Sequence, residues 1–159
     1  MAQNQLLSNQ ILDENSVVRQ QIESLLSREF SEQERNLQMQ MLNIAVMMNG
    51  IGLFPSNSGL VAVFTNPDVD SIQIELLSIM LDIPISSDNF TQIGNELFVL
   101  NYDFPEALDI STLTDICGQI MISITNHLGA QQMGVSISEY YRIIERIKVE
   151  ALEITPGNT

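Results

Sequence analysis

The chain has 159 residues, of which 45% are apolar and 16% are charged, so its length and composition favour a single packed domain over a disordered segment. The net charge of −14 arises from only six Lys and Arg against 20 Asp and Glu, and no Lys or Arg occurs between residues 36 and 141. Because nucleic acids and anionic membranes are bound through bases that neutralise phosphates, this distribution argues against both and permits a basic or apolar protein partner.

The first 50 residues are predicted to form an N-terminal helical segment. Apolar residues recur at spacings of three and four between residues 6 and 30, a pattern typical of an amphipathic helix, with a break predicted at residues 13–16. Residues 31–34 are Ser-Glu-Gln-Glu, a capping box in which the serine hydroxyl and the glutamate carboxylate bind free amides at a helix start. A second helix is therefore expected from there to about Met48.

The second helix carries apolar side chains on most of its faces, and four of them are methionines: Met39, Met41, Met47 and Met48. Methionine is flexible and polarizable, and it is favoured at surfaces that fit several partners. If one side of this helix packs on a small sheet, its other apolar sides still need cover. Two interpretations stay open: the domain buries the helix wholly, or a partner protein completes its burial.

The central part of the chain is expected to form a small sheet. Residues 60–65, Leu-Val-Ala-Val-Phe-Thr, predict a first strand after a loop at residues 54–59. Asn66 then suits a helix cap and favours a helix over residues 67–81, with proline at its first position. The alternation of apolar and polar residues around Ile74 also suits a strand, and this alternative stays open.

A β-hairpin is the clearest β signal in the sequence. Residues 90–93 and 96–100 are rich in β-forming side chains, and Gly94-Asn95 between them suits the positive φ angles of a tight turn. The hairpin is therefore predicted to supply two antiparallel strands.

Two further helices are predicted after the hairpin. Either Asp109 or Ser111 can cap the first, whose apolar face includes Cys117 and which Gly129 is expected to close. A second capping box, at residues 136–139, predicts the start of the last helix.

Together these elements predict an α+β protein with a small, mostly antiparallel sheet that contains a β-hairpin, is packed by helices and carries an N-terminal helical extension. The predicted organisation is a helical segment at residues 1–50, an α+β domain at residues 51–154 and a loose tail at residues 155–159. No internal repeat or low-complexity tract divides the sequence further.

The sequence offers little for catalysis or for binding a cofactor. Cys117 and His127 are single residues of their kinds, and ten residues of helix would separate them by about 15 Å, beyond hydrogen-bond reach. One cysteine allows no internal disulfide, and no metal-ligand spacing occurs. The sequence shows neither a secretory signal nor an apolar run of about 18–20 residues. We therefore expect a non-enzymatic cytoplasmic protein with no cofactor and no metal.

The layout around the hairpin resembles a known group of proteins. A helix at residues 67–81, an acidic hairpin at residues 90–100, an exit at Phe104-Pro105 and a long closing helix are similar to type III secretion chaperones and to YbjN-like proteins. The resemblance covers about residues 59–129 and rests on patterning, without a diagnostic motif. It implies a small, acidic, dimeric α+β protein that binds other polypeptides and has neither enzymatic activity nor a cofactor.

The leading hypothesis is thus a chaperone-like or adaptor protein that holds another protein against its apolar helix and sheet surfaces. The alternative is a structural or assembly subunit of a larger complex, such as a virus particle or a secretion apparatus. A homo-oligomer is expected, with a dimer favoured. The candidate partner-binding residues lie on the second helix and on the hairpin: Leu37, Met41, Ile44, Met48, Phe90 and Phe98.

Overall fold

The structure of the protein, a computed structural model, describes residues 10–154. The predicted loose tail and the first nine residues lie outside this range. After a helical turn at residues 10–12, the helices are α1 (Val17–Leu25), α2 (Glu32–Asn49), α3 (Ile72–Leu81), α4 (Ile110–Met133) and α5 (Ile137–Ile154). The strands are β1 (Ile51–Pro55), β2 (Gly59–Phe64), β3 (Thr91–Ile93) and β4 (Leu97–Asp103), with a 3-10 helix (Ser87–Asn89) before β3.

The strands form an antiparallel sheet in the order β1-β2-β4-β3. β2 and β4 are the central strands and pair from Gly59 opposite Asp103 to Phe64 opposite Phe98. β1 pairs with β2 alone and forms one edge of the sheet, and β3 pairs with β4 and forms the other edge. Because side chains alternate along each strand, β1, β2 and β4 send apolar residues to both faces of the sheet.

Helices cover both faces of this sheet, so β1 and β2 are buried along their whole length. α1 and α2 pack on one face, where Ile22 and Leu42 join Phe54 in the core. α3 and α4 pack on the other face, where Leu77 and Ile124 belong to a second core cluster. The predicted α+β class with an antiparallel sheet is confirmed, and its core consists of two apolar layers, one on each side of the sheet.

The N-terminal helices begin where the sequence predicts. The break before α1 is confirmed, since the Ser16 amide donates to the Asp13 carbonyl at 2.9 Å and the Ser16 side chain caps α1. The capping box that starts α2 is also present, with the Ser31 amide donating to Glu34 Oε1 at 2.8 Å. A division of the chain after residue 50 stays a prediction, and helices before it share a core with strands after it.

β1 is a strand that the sequence analysis does not predict, and the loop expected at residues 54–59 begins only at Ser56. α2 ends at Gly50, whose φ of 73° is left-handed, and the chain passes directly into the strand. Gly52 lets α2 approach closely, because a Cβ atom there would lie 2.6 Å from Leu42 Cδ1. A proline can end this strand because β1 is an edge, where a ladder amide is not needed.

The stretch predicted as a helix over residues 67–81 is a helix, but it begins later, at Ile72, and the strand alternative is wrong. Asn66 is not its cap. The Asp68 carboxylate accepts the amide two residues later, at 3.0 Å, and so holds a turn at the expected helix start. Ser71 is the N-cap instead.

The predicted hairpin is confirmed as β3 and β4, although its turn is longer than expected. Ile93 pairs with Leu97, so the loop consists of residues 94–96 and Glu96 does not belong to a strand. Gly94 has a φ of 65°, a positive value that glycine adopts without steric cost, as the sequence predicts for this turn.

α4 is longer than predicted at its C-terminal end. Asp109 caps it, accepting from the Thr112 amide at 2.8 Å. The helix does not close at Gly129 but continues to a left-handed Gly134. Gly129 instead makes room for α5, because a side chain there would collide with the ring of Tyr140.

Candidate functional site

α2 has two apolar stripes with opposite surroundings. Met39, Leu42 and Val46 are buried against the sheet. The other stripe follows spacings of four, three and four residues, and its side chains are between 53% and 74% exposed: Leu37, Met41, Ile44 and Met48. Such spacing is typical of a seam that packs against another helix.

The exposed stripe forms one wall of an apolar groove, which we call the α2–α4 groove. α4 forms the opposite wall, and the volume between them is about 470 Å³. No charged side chain lines the groove among the described residues. Its lining consists of Gln38, Met41, Ile44, Ala45, Met48, Asn49, Leu53, Pro55, Thr114, Cys117, Gly118, Met121 and Thr125.

The floor of the groove is the outer edge of β1. Even-numbered residues face β2 there, as shown by the Gly50 carbonyl, which accepts from the Thr65 amide at 3.2 Å. The amide and carbonyl of Leu53 therefore point outward, toward the groove. The Pro55 carbonyl also points outward and accepts from the Ser27 amide at 3.0 Å. α2 and α4 thus shield an edge that would otherwise invite pairing with another strand.

The two ends of the groove differ in charge. At one end the helices meet, and Asn49 Nδ2 donates to Thr125 Oγ1 at 3.2 Å. At the other end an adjoining hollow shares Gln38 and Thr114 with the groove and is lined by three carboxylates, which we call the acidic end: Glu29, Glu34 and Asp115. The Ser31 amide and hydroxyl, which bind Glu34, lower the pKa of its carboxyl, so this charge is retained under mildly acidic conditions.

Cys117 lies on the α4 wall, on the buried side that the sequence predicts. Burial raises the pKa of its thiol from 9.0 to about 12, so the thiol is protonated near neutral pH. His127 is on the same continuous helix, and its Nδ1 lies 2.8 Å from the Ser123 carbonyl. A straight helix holds Cys117 and His127 about 15 Å apart, so this pair cannot form a thiolate–imidazolium nucleophile.

The described acidic side chains do not gather into a metal-binding arrangement. Within residues 10–154 no three His, Cys, Asp or Glu side chains lie close enough together to hold an ion.

The structure separates the six predicted partner-binding residues into two groups. Met41, Ile44 and Met48 line the groove, and Leu37 lines the acidic end beside it.

Phe90 and Phe98 belong instead to a hollow near the opposite edge of the sheet, which also contains Asn66 and Asp68. The Phe90 ring packs edge-on against Phe64, with centroids 5.2 Å apart, and so is partly committed to the core.

Several groove residues are not predicted from the sequence, because they come from elements that pack against α2. Leu53 and Pro55 lie in a strand that was not predicted, and Met121 and Thr114 lie on α4, whose exposed side carries no distinctive motif. The one signal available from the sequence is the second apolar stripe on α2. It predicts that some surface faces the stripe, but not which residues form that surface.

Comparison with models of known protein families, with curated proteins and with solved structures gives no match for this chain. Among residues 10–154, no helix has both the length and the hydropathy needed to cross a bilayer.

Proposed function

We propose that the protein is a non-enzymatic, chaperone-like or adaptor protein that holds an amphipathic helix of another protein in the α2–α4 groove. The observation that carries this proposal is the second apolar stripe of α2, which faces an open groove beside the sheet edge. The resemblance to secretion chaperones and a cytoplasmic location are parts of the same proposal.

The chemistry of the groove defines what it would hold. Its walls are apolar and uncharged, whereas the acidic end presents Glu29, Glu34 and Asp115. A complementary segment has an apolar stripe with helical spacing and Lys or Arg at one end. The base-free stretch from residue 36 to residue 141 adds a long-range field that attracts such a segment.

The apolar surface is large enough to matter energetically. Covering even roughly 400 Å² at ~25 cal/mol per Å² contributes on the order of 10 kcal/mol before association costs are subtracted. Methionines at two of the four stripe positions let the wall adjust to different side chains. The groove is therefore suited to several related helices.

A labelled synthetic peptide tests the proposal. The peptide is an amphipathic helix about five turns long, with leucines at spacings of three and four and lysines at one end. We expect it to bind with a Kd in the range of about 1 μM, measured by fluorescence anisotropy. Ile44→Glu should abolish binding, because it places a charge in the groove.

The matched control is Ile79→Glu, which changes a similarly exposed isoleucine on α3, away from the groove. This variant should bind the peptide like the wild type. Combining Glu29→Gln with Asp115→Asn should weaken binding and reduce its dependence on salt, since two charges of the acidic end are removed. Equal binding by the wild type and Ile44→Glu would overturn the proposal.

A structural or assembly subunit is the second candidate function, and one observation favours it. α5 carries further exposed apolar side chains, among them Tyr141 and Ile147. The described chain therefore presents two exposed apolar surfaces, one on α2 and one on α5. Two such surfaces on one chain are what a self-assembling subunit needs. Light scattering distinguishes the candidates, because a small closed species suits an adaptor and a large ring or filament suits a subunit.

A further inference from the structure

α5 presents a second apolar surface that the rest of the described chain leaves exposed. Its first half packs on α4, where the Tyr140 ring lies against Gly129. All residues from 145 to 153 are exposed, and Ile147 and Val149 are each more than half exposed. The second half of α5 therefore has the character of a docking helix.

The charges of α5 match the groove. Three of the six bases in the chain lie on this helix, Arg142, Arg146 and Lys148, whereas no other described helix has more than one. Arg142 and Arg146 are four residues apart and share a face. Lys148 pairs with Glu145 at 3.6 Å, but both side chains are well exposed, so this pair is weak and easily exchanged.

The dimensions also match. From Arg142 to Ile154 a helix rises about 18 Å, and from Leu37 to Met48 the groove wall of α2 rises about 17 Å. The bases occupy the first part of that α5 segment together with Glu145, and the glutamates at 150 and 153 come after them. Laid parallel to α2, the segment would bring its bases to the acidic end and its last turns to the uncharged end near Met48.

An α5 helix that occupies the groove has to come from a second molecule. No residue of α5 lines the groove of its own chain, and α5 packs on α4 near Gly129, beyond the end of the groove at Thr125. Each chain thus carries one open groove and one helix whose second half is exposed and is similar to the groove in length.

We propose that two copies of the chain form a symmetric dimer in which α5 of each copy lies in the α2–α4 groove of the other. The proposal rests on the proposed function, because it gives that docking groove its occupant. The two contacts are equivalent by symmetry, so each has to bury about 600 Å² or more for the dimer to reach the size of a standard stable interface. A client helix would then compete with the partner's α5 for the same groove.

Complementation between two variants tests the proposed exchange of α5 helices between the two copies. Ile44→Glu damages the groove and leaves α5 intact, whereas Ile147→Glu damages α5 and leaves the groove intact. By sedimentation at micromolar concentration we expect a wild-type dimer and at least about tenfold weaker dimerisation of each variant. Because a charge on either side is expected to exclude α5 from the groove, the mixture should form a 1:1 dimer that is weaker than the wild-type dimer but tighter than the dimer of either variant, held by the contact between the undamaged α5 and the undamaged groove.

Several results would overturn the exchange. These are a monomeric wild type, a dimer that resists either variant, and a mixture that dimerises no more tightly than the two variants alone. If Ile147→Glu dissociates the dimer and Ile44→Glu does not, α5 pairs with α5. If Ile44→Glu dissociates the dimer and Ile147→Glu does not, α2 pairs with α2. Ile79→Glu serves as the control for added charge and should remain dimeric. If circular dichroism shows that Ile44→Glu is unfolded, Met48→Glu replaces it as the groove variant.

A further measurement distinguishes failure of the proposed dimer from failure of the α2–α4 groove as a docking site. The Ile147→Glu variant retains an undamaged groove, so the basic amphipathic peptide should bind to it. If the wild type is monomeric and this variant still binds the peptide, the groove remains a docking site and the second copy is not its occupant. If neither dimer nor peptide binding occurs, both proposals are wrong.

Discussion

Leu37 and Leu42 lie five residues apart on α2 and have opposite surroundings. Leu42 is buried between α2 and the sheet, where its side chain packs over Gly52. Leu37 is on the other stripe and lies more than half exposed beside the acidic end. The comparison shows that one helix can pack one apolar stripe into the core and leave a second one exposed, even though both stripes consist of aliphatic and methionine side chains.

The largest expected effect comes from shortening the buried leucine. Leu42→Ala removes side-chain contacts in the core and leaves a cavity, so it should cost about 2–5 kcal/mol in the free energy of unfolding. Leu37→Ala makes the same chemical change on the same helix and should cost less than about 0.5 kcal/mol. Urea unfolding monitored by circular dichroism gives both values. Equal losses would mean that the two stripes do not differ as described.

A second effect, seen only at alkaline pH, is expected from the opposite wall of the groove. The pKa of the Cys117 thiol is about 12 in the folded protein, against 9.0 for an ordinary thiol. Well below pH 9 the thiol is neutral in both states and its ionisation does not affect stability. As the pH rises from 9 toward 12, the unfolded state ionises first, so the free energy of unfolding should fall.

Cys117→Ala is the matched variant for this effect. It should lose part of the alkaline decline in stability, since its remaining titrating groups are those of the wild type. Thiol reagents should react slowly with the native protein at neutral pH, because Cys117 is buried and protonated. Rapid labelling of the native protein, or the same alkaline decline in Cys117→Ala, would show that the thiol is not buried as described.

The sequence predicts the parts of this fold that depend on local interactions. Capping side chains such as Ser31 and Asp109 bind amides within three residues, and Gly94 permits its turn by its own backbone freedom. These signals place α2, α4 and the hairpin without knowledge of the rest of the chain.

The sequence does not predict the parts that depend on distant contacts. β1 contains Gly52 and Pro55, which argue against a strand, and both are tolerated because α2 approaches closely and because β1 is an edge. The groove arises where β1, α2 and α4 meet. Which stripe of α2 is buried also depends on this packing, since an apolar residue on one face of the helix has the same local pattern as one on the other.

The smallest expected effect on folding is also the most direct test of the central claim that α2 has a core stripe and a separate binding stripe. The measurement is the urea unfolding free energy of the double variant Met41→Glu, Met48→Glu, at a concentration where it and the wild type are both monomeric. We predict a value within about 0.5 kcal/mol of the wild type, because both side chains are exposed. A loss of about 2 kcal/mol or more, or failure to fold, would mean that the exposed stripe is core, and the hollow at Phe90 and Phe98 would then be the candidate binding surface.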